Sequence, residues 1–115
     1  MNKDKLFLLK PDFRTADGGP FYCPDCALVE GVLSYYPQLR HKIDVEYLDF
    51  PKPRAALVAA LGTEHQGCPT LILAPGRRVL DASLEVHEAN GKRFIVNQAH
   101  IRQYLSAMFG IGRAA

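Results

Sequence analysis

The stretch that most constrains this chain is FYCPDCALVEGVLSYYP, residues 21–37. Leu28, Val29, Val32, Leu33 and Tyr36 recur at helical spacing, and Pro37 ends the run, so a helix from about Pro24 to Tyr36 is expected. Pro24 suits the first helical position, because the N–H it lacks would have no partner there. Cys23 and Cys26 then lie one helical turn apart at the start of that helix. Free backbone N–H groups and the macrodipole favour a thiolate at such a place. Asp25 acts against this, since a neighbouring carboxylate opposes a second negative charge.

Elements on either side follow from local pattern. Lys5 to Lys10 is a continuous apolar run suited to a strand covered on both faces. A polar, glycine-containing loop is expected from Pro11 to Tyr22. Asp44 to Phe50 reads as a second strand. Arg54 to Leu61 reads as a short helix, opened by Pro53 and stopped by Gly62. Thr70 to Ala74 is expected as a third strand, closed by a turn at Pro75-Gly76, and Val79 to Ala82 as a fourth. Asn90-Gly91 signals a hairpin pairing Leu84–Glu88 with Lys92–Val96. Asn97 caps a last helix with Ile101, Tyr104, Leu105 and Met108 on its inner face, and Gly110 and Gly112 let it end in a frayed tail.

The resulting order is strand, helix, strand, helix, strand, strand, helix. It predicts an α/β fold with a central mixed β-sheet and helices on both faces. A chain of 115 residues is expected to form one domain over residues 1–115.

Composition narrows the function classes. Fourteen Lys and Arg face twelve Asp and Glu. The basic residues pair only at Arg77–Arg78 and Lys92–Arg93, too thin a footprint for nucleic acid. No run approaches the roughly 18 apolar residues of a membrane helix, and the apolar run near the start is too short for a signal peptide. The expected compartment is the cytoplasm, where a disulfide is more often catalytic than structural. Three cysteines also fit poorly with a secreted, stapled domain.

Three motifs stand in order: Cys23-Pro24-Asp25-Cys26, then Cys68-Pro69-Thr70-Leu71, then FIVNQAHIRQYL at 94–105. With the element order, they resemble the thioredoxin superfamily, in particular its glutaredoxin and glutathione-transferase N-terminal branch. The whole is also similar to an uncharacterised proteobacterial thioredoxin-like family.

The resemblance implies a glutaredoxin-like thiol–disulfide oxidoreductase, with Cys23 as nucleophile and Cys26 as resolving thiol. It also implies a cis Cys68–Pro69 bond beside the cysteine pair. Tyr22, Pro24, Cys68, Pro69 and Thr70 would form the substrate-docking surface. Partners would be protein or low-molecular-weight thiols and disulfides, with no resident cofactor. Glutathione stays open as a co-substrate, its carboxylates meeting Arg54 and Lys10 and its γ-glutamyl end facing Asn97-Gln98, which departs from the anchoring pair of the transferase branch. From another class comes a non-catalytic binding module of the same fold. There Cys23, Cys26 and Cys68 would hold a soft metal, with water or His65 as fourth ligand. Cys68 itself remains open between core packing, a third redox thiol and a metal ligand.

Overall fold

The computed structural model describes residues 2–115. Its main sheet has five strands: β1 (Lys5–Leu9), β4 (Asp44–Leu48), β5 (Thr70–Ile72), β6 (His87–Ala89) and β7 (Lys92–Ile95). Their spatial order is β4-β1-β5-β7-β6. β1 and β4 are parallel, whereas β5, β7 and β6 join through antiparallel pairings. Three helices pack on this sheet: α1 (Pro24–Tyr35), α2 (Ala55–Leu61) and α3 (Gln98–Phe109). The protein is thus an α/β molecule with a mixed sheet, consistent with a thioredoxin-like arrangement.

The two faces follow from strand periodicity, since successive side chains point to opposite sides. Leu6, Leu8, Leu71 and Ile95 meet Val29 and Leu33 of α1 and Ile101 and Leu105 of α3. Between them, Phe7, Ile72 and Phe94 turn the other way, onto Leu57 and Leu61 of α2. The run LFL of β1 is therefore buried on both faces, as its composition predicts.

Several expectations need correction. The segment after β1 is not a loop: Phe13–Thr15 (β2) and Gly18–Phe21 (β3) form a separate two-stranded hairpin. Gly18 takes φ 121° at its tip, a conformation that glycine adopts without a Cβ clash. Pro37–His41 continues the chain as a 3₁₀ turn that seats Leu39 in the core. Val79–Ala82 is not a strand. Leu73 still bonds to Arg93, but the chain then turns away through Arg77 N–H to Ala74 C=O at 3.0 Å. Asn90 and Gly91 do carry the positive φ values of the expected hairpin, with the narrower pairing His87–Ala89 to Lys92–Ile95. Pro53 lies outside α2, which is entered through Arg54.

Leu28 is 48% exposed, because the core side of α1 is set by Cys26, Val29 and Leu33. The tail also departs from the frayed end expected of it. Gly110 turns the chain in the left-handed region and Ile111 returns to the core. A Cβ on Gly112 would stand 2.6 Å from the Tyr36 hydroxyl, so a larger residue there would displace the end of that side chain.

Candidate functional site

The cysteines meet where β1 ends and β5 begins. β5 runs antiparallel to β1 with Thr70 opposite Phe7, which carries Cys68 and Pro69 to the end of β1 from which α1 is approached. Cys23 is the N-cap of α1, and its sulfur accepts the Cys26 N–H at 3.2 Å. A thiol here takes the place usually held by a Ser, Thr, Asp or Asn oxygen. On its other side the Cys23 thiol faces the Cys68 carbonyl at 3.8 Å. The Cys68–Pro69 peptide is cis. All three cysteines are free thiols.

Their surroundings differ. Cys26 is 4% exposed, and burial, followed by its hydrogen bond with Cys23, pushes its thiol far up in pKa. Cys68 is half-buried between the two core clusters. Burial raises its thiol to about 11, against a lowering by the Arg54 charge. Cys23 is partly open to solvent.

The β2–β3 hairpin delivers Tyr22 and Cys23 to this place. Phe13 of β2 stacks on Phe50 with ring centres 4.2 Å apart and an interplanar angle of 6°. Arg54 holds Phe50 from behind: Nε and a terminal nitrogen donate to its carbonyl at 3.0 and 2.7 Å, and the other terminal nitrogen donates to Gln66 C=O at 2.7 Å. Arg54 is buried, and three of its N–H groups donate to main-chain carbonyls, so it serves the fold beside the groove. Lys10 pairs with Asp49 at 3.1 Å.

The remaining expected residues divide. Tyr22 is 64% exposed and borders a groove beside Cys23, while Pro24 sits exposed at the first helical position. Pro69 is buried. Thr70 is buried too, with its hydroxyl donating to Gly67 C=O at 2.7 Å. Its strand is paired on both sides, by β1 and β7, so Leu71 lies within the ladder. Asn97 caps α3 by accepting from Ala99 and His100 N–H, and Gln98 accepts from Arg102. His65 packs edge-on against Phe94, ring centres 5.1 Å apart. Among the described residues no three His, Cys, Asp or Glu side chains are grouped as a metal site requires.

The groove beside Cys23 has a volume of about 510 Å³. Leu9 and Pro11 border it from the end of β1, and Ala27 from α1. At its far side is a cluster that local pattern does not reveal. Arg40 donates to Glu30 at 2.6 Å and to the Tyr47 hydroxyl at 3.0 Å, and that hydroxyl donates to the second Glu30 oxygen at 2.6 Å. Three separate elements supply these residues, so no spacing rule links them. The hairpin did carry a signal, because Asp17 and Gly18 are turn-prone residues; the chain reverses at Ala16 and Asp17, and Gly18 opens β3.

Fold and site together define a class: a mixed α/β protein with a Cys-x-x-Cys pair at the start of its first helix. The chain belongs to a family described as a protein of unknown function (DUF3088), whose model matches residues 3–113. Neither the curated proteins nor the solved structures contain a match. Among the described residues no helix is long and apolar enough to cross a membrane.

Proposed function

We propose that the protein is a glutaredoxin-like thiol–disulfide oxidoreductase of the thioredoxin superfamily, acting in a reducing compartment such as the cytoplasm. The observation that carries this reading is the placement of Cys23. Its sulfur receives a backbone N–H at the head of α1 and borders an open groove, while Cys26 waits one turn behind, shielded from solvent.

The division of labour follows from that geometry. Cys23 sulfur attacks one sulfur of a disulfide R–S–S–R, forming a mixed disulfide and expelling RS⁻, which takes a proton from water. Cys26 sulfur then attacks Cys23 sulfur and expels the second RS⁻, which leaves with the Cys26 proton. The protein loses two electrons and the substrate gains them. Burial keeps Cys26 protonated and unreactive towards outside reagents until the mixed disulfide forms beside it. Tyr22, Pro24 and Cys68 border this centre as the substrate-docking surface, with the buried Pro69 shaping it from beneath. With its hydroxyl turned inward, Thr70 supports that surface from below. Protein or small-molecule disulfides are the substrates. Glutathione is disfavoured as a co-substrate, since Arg54, Asn97 and Gln98 are all engaged within the fold.

Limited alkylation of the reduced protein with mass mapping tests the assignment. Cys23 labels first, Cys23→Ser abolishes disulfide reduction, and Cys26→Ser accumulates a mixed disulfide at position 23. Slow, equal labelling of all three thiols, with no Cys23–Cys26 disulfide formed on oxidation, would instead identify a non-catalytic binding module.

A further inference from the structure

The groove at Cys23 has features that bear on which disulfide enters. About 510 Å³ lies within the roughly 300–1,000 Å³ typical of small-molecule sites. Apart from the cysteines, the near walls are apolar or aromatic: Leu8, Leu9, Pro11, Tyr22 and Ala27. At the far side Glu30 has both oxygens occupied by Arg40 and Tyr47, so its charge is balanced locally.

Asp12 is different. It borders the same groove, is exposed, and among the described residues makes neither a salt bridge nor a side-chain hydrogen bond. Its φ of 65° holds it in the left-handed region, at the turn where the chain leaves β1 for the hairpin. The groove therefore combines a reacting sulfur, apolar walls and one uncompensated negative charge.

Resting on the oxidoreductase reading, the geometry points to a small disulfide with an aromatic-sized apolar body and an ammonium group as the substrate of Cys23. The apolar body lies along Leu9, Pro11 and Tyr22, where removal from water favours binding. The ammonium group faces Asp12, the one carboxylate in the groove without a partner. A disulfide bearing carboxylates, as glutathione disulfide does, brings like charge towards Asp12 and gains less from the apolar walls. The reaction is the balanced two-step exchange given above. In a single turnover the reduced protein itself supplies both electrons.

The test uses the reduced 115-residue chain and two matched disulfides, bis[4-(aminomethyl)phenyl] disulfide and bis[4-(carboxymethyl)phenyl] disulfide. Each single-turnover rate constant is divided by that of dithiothreitol with the same compound at the same pH, which removes intrinsic reactivity. The expected cation-to-anion ratio is about tenfold or more at low salt, the scale of one charge acting across a partly solvated groove. Raising the ionic strength brings it towards one. Asp12→Asn, which tolerates the left-handed backbone, lowers the ratio several-fold while still reducing both compounds. A normalised ratio near one, or one unchanged in Asp12→Asn, overturns the substrate assignment alone. Failure of both compounds to react at Cys23 overturns the assignment together with the oxidoreductase reading beneath it.

Discussion

The two ends of β1 carry two chemically distinct clusters, and they are built on opposite principles. At the start of the strand Asp4 is fully buried and fully engaged. One carboxylate oxygen accepts Ala74 N–H at 2.7 Å and Arg77 Nε at 3.2 Å, and the other accepts the Tyr104 hydroxyl. Its carbonyl takes Asp44 N–H at 2.9 Å. Asp4 thereby ties together β4, the end of β5 and α3, and among the described residues no buried side-chain nitrogen or oxygen lacks a partner. At the other end stand three free thiols, one of them open to a groove. Satisfied polar groups rigidify a fold, whereas accessible and lightly bonded ones are available for chemistry. One end is for stability and the other for reaction, and substitutions should separate them.

The largest expected effect is at Asp4. Asp4→Ala orphans Ala74 N–H and the buried Tyr104 hydroxyl and removes the Arg77 partner, which costs about 3–5 kcal/mol. Denaturant unfolding measures the loss. Under conditions where the variant is folded, its Cys23 alkylation rate equals that of the parent. A changed rate would mean that the two ends are coupled through β1.

Tyr104→Phe is a milder probe of the same end. It keeps the ring packed and removes one donor to a charged acceptor, at a cost of about 1.5–3 kcal/mol. Smaller again is Asn97→Ala. Losing a side-chain cap that satisfies two N–H groups lowers stability by about 1 kcal/mol. Because α3 packs against α1, the same unfolding curves show whether loosening α3 reaches the cysteine end. An m-value that falls with the midpoint would indicate that α3 detaches separately.

These two ends were unequally legible. The CPDC stretch announced both a helix start and paired thiols, because those signals are local in sequence, whereas the place of Cys68–Pro69 beside it was implied only by the family resemblance. The cap at Asn97 and the turn at Asn90-Gly91 were readable from local signals too. Asp4 was not: its partners lie 70 and 100 residues away, and a single aspartate before a strand looks like a solvated one. The Arg54 clasp was hidden for the same reason, since the Phe50 and Gln66 carbonyls it holds are recruited by the fold and not by a local motif. Leu28 shows a different limit. Apolar character alone does not phase a helix, and Cys26 occupies the face that Leu28 was expected to share. Ile111 lay between two glycines that marked a helix end, and nothing local said that the chain would return.

The smallest expected effect sharpens the comparison from the thiol side, through pH. Burial raises the Cys68 thiol from an ordinary 9.0 to about 11 in the folded protein. A raised acid pKa means that between these values the unfolded chain has lost a proton that the folded one still holds. With fewer protons bound in the unfolded state, stability falls as pH rises. The contribution of Cys68 is therefore fully present below about pH 9 and is lost as pH approaches about 11. Cys26 shifts in the same direction, so its slope adds to that of Cys68 above pH 9. Cys68→Ala should flatten the decline without removing it, because Cys26 remains. The cost at neutral pH is under about 0.8 kcal/mol, as only one small, half-buried apolar atom is lost. Unfolding midpoints from pH 7 to 11 in the reduced protein measure both quantities. If Cys68→Ala leaves the slope unchanged, the thiol is better solvated than its place between the two clusters implies. The cysteine end would then be open on its Cys68 side as well as on the side facing the groove.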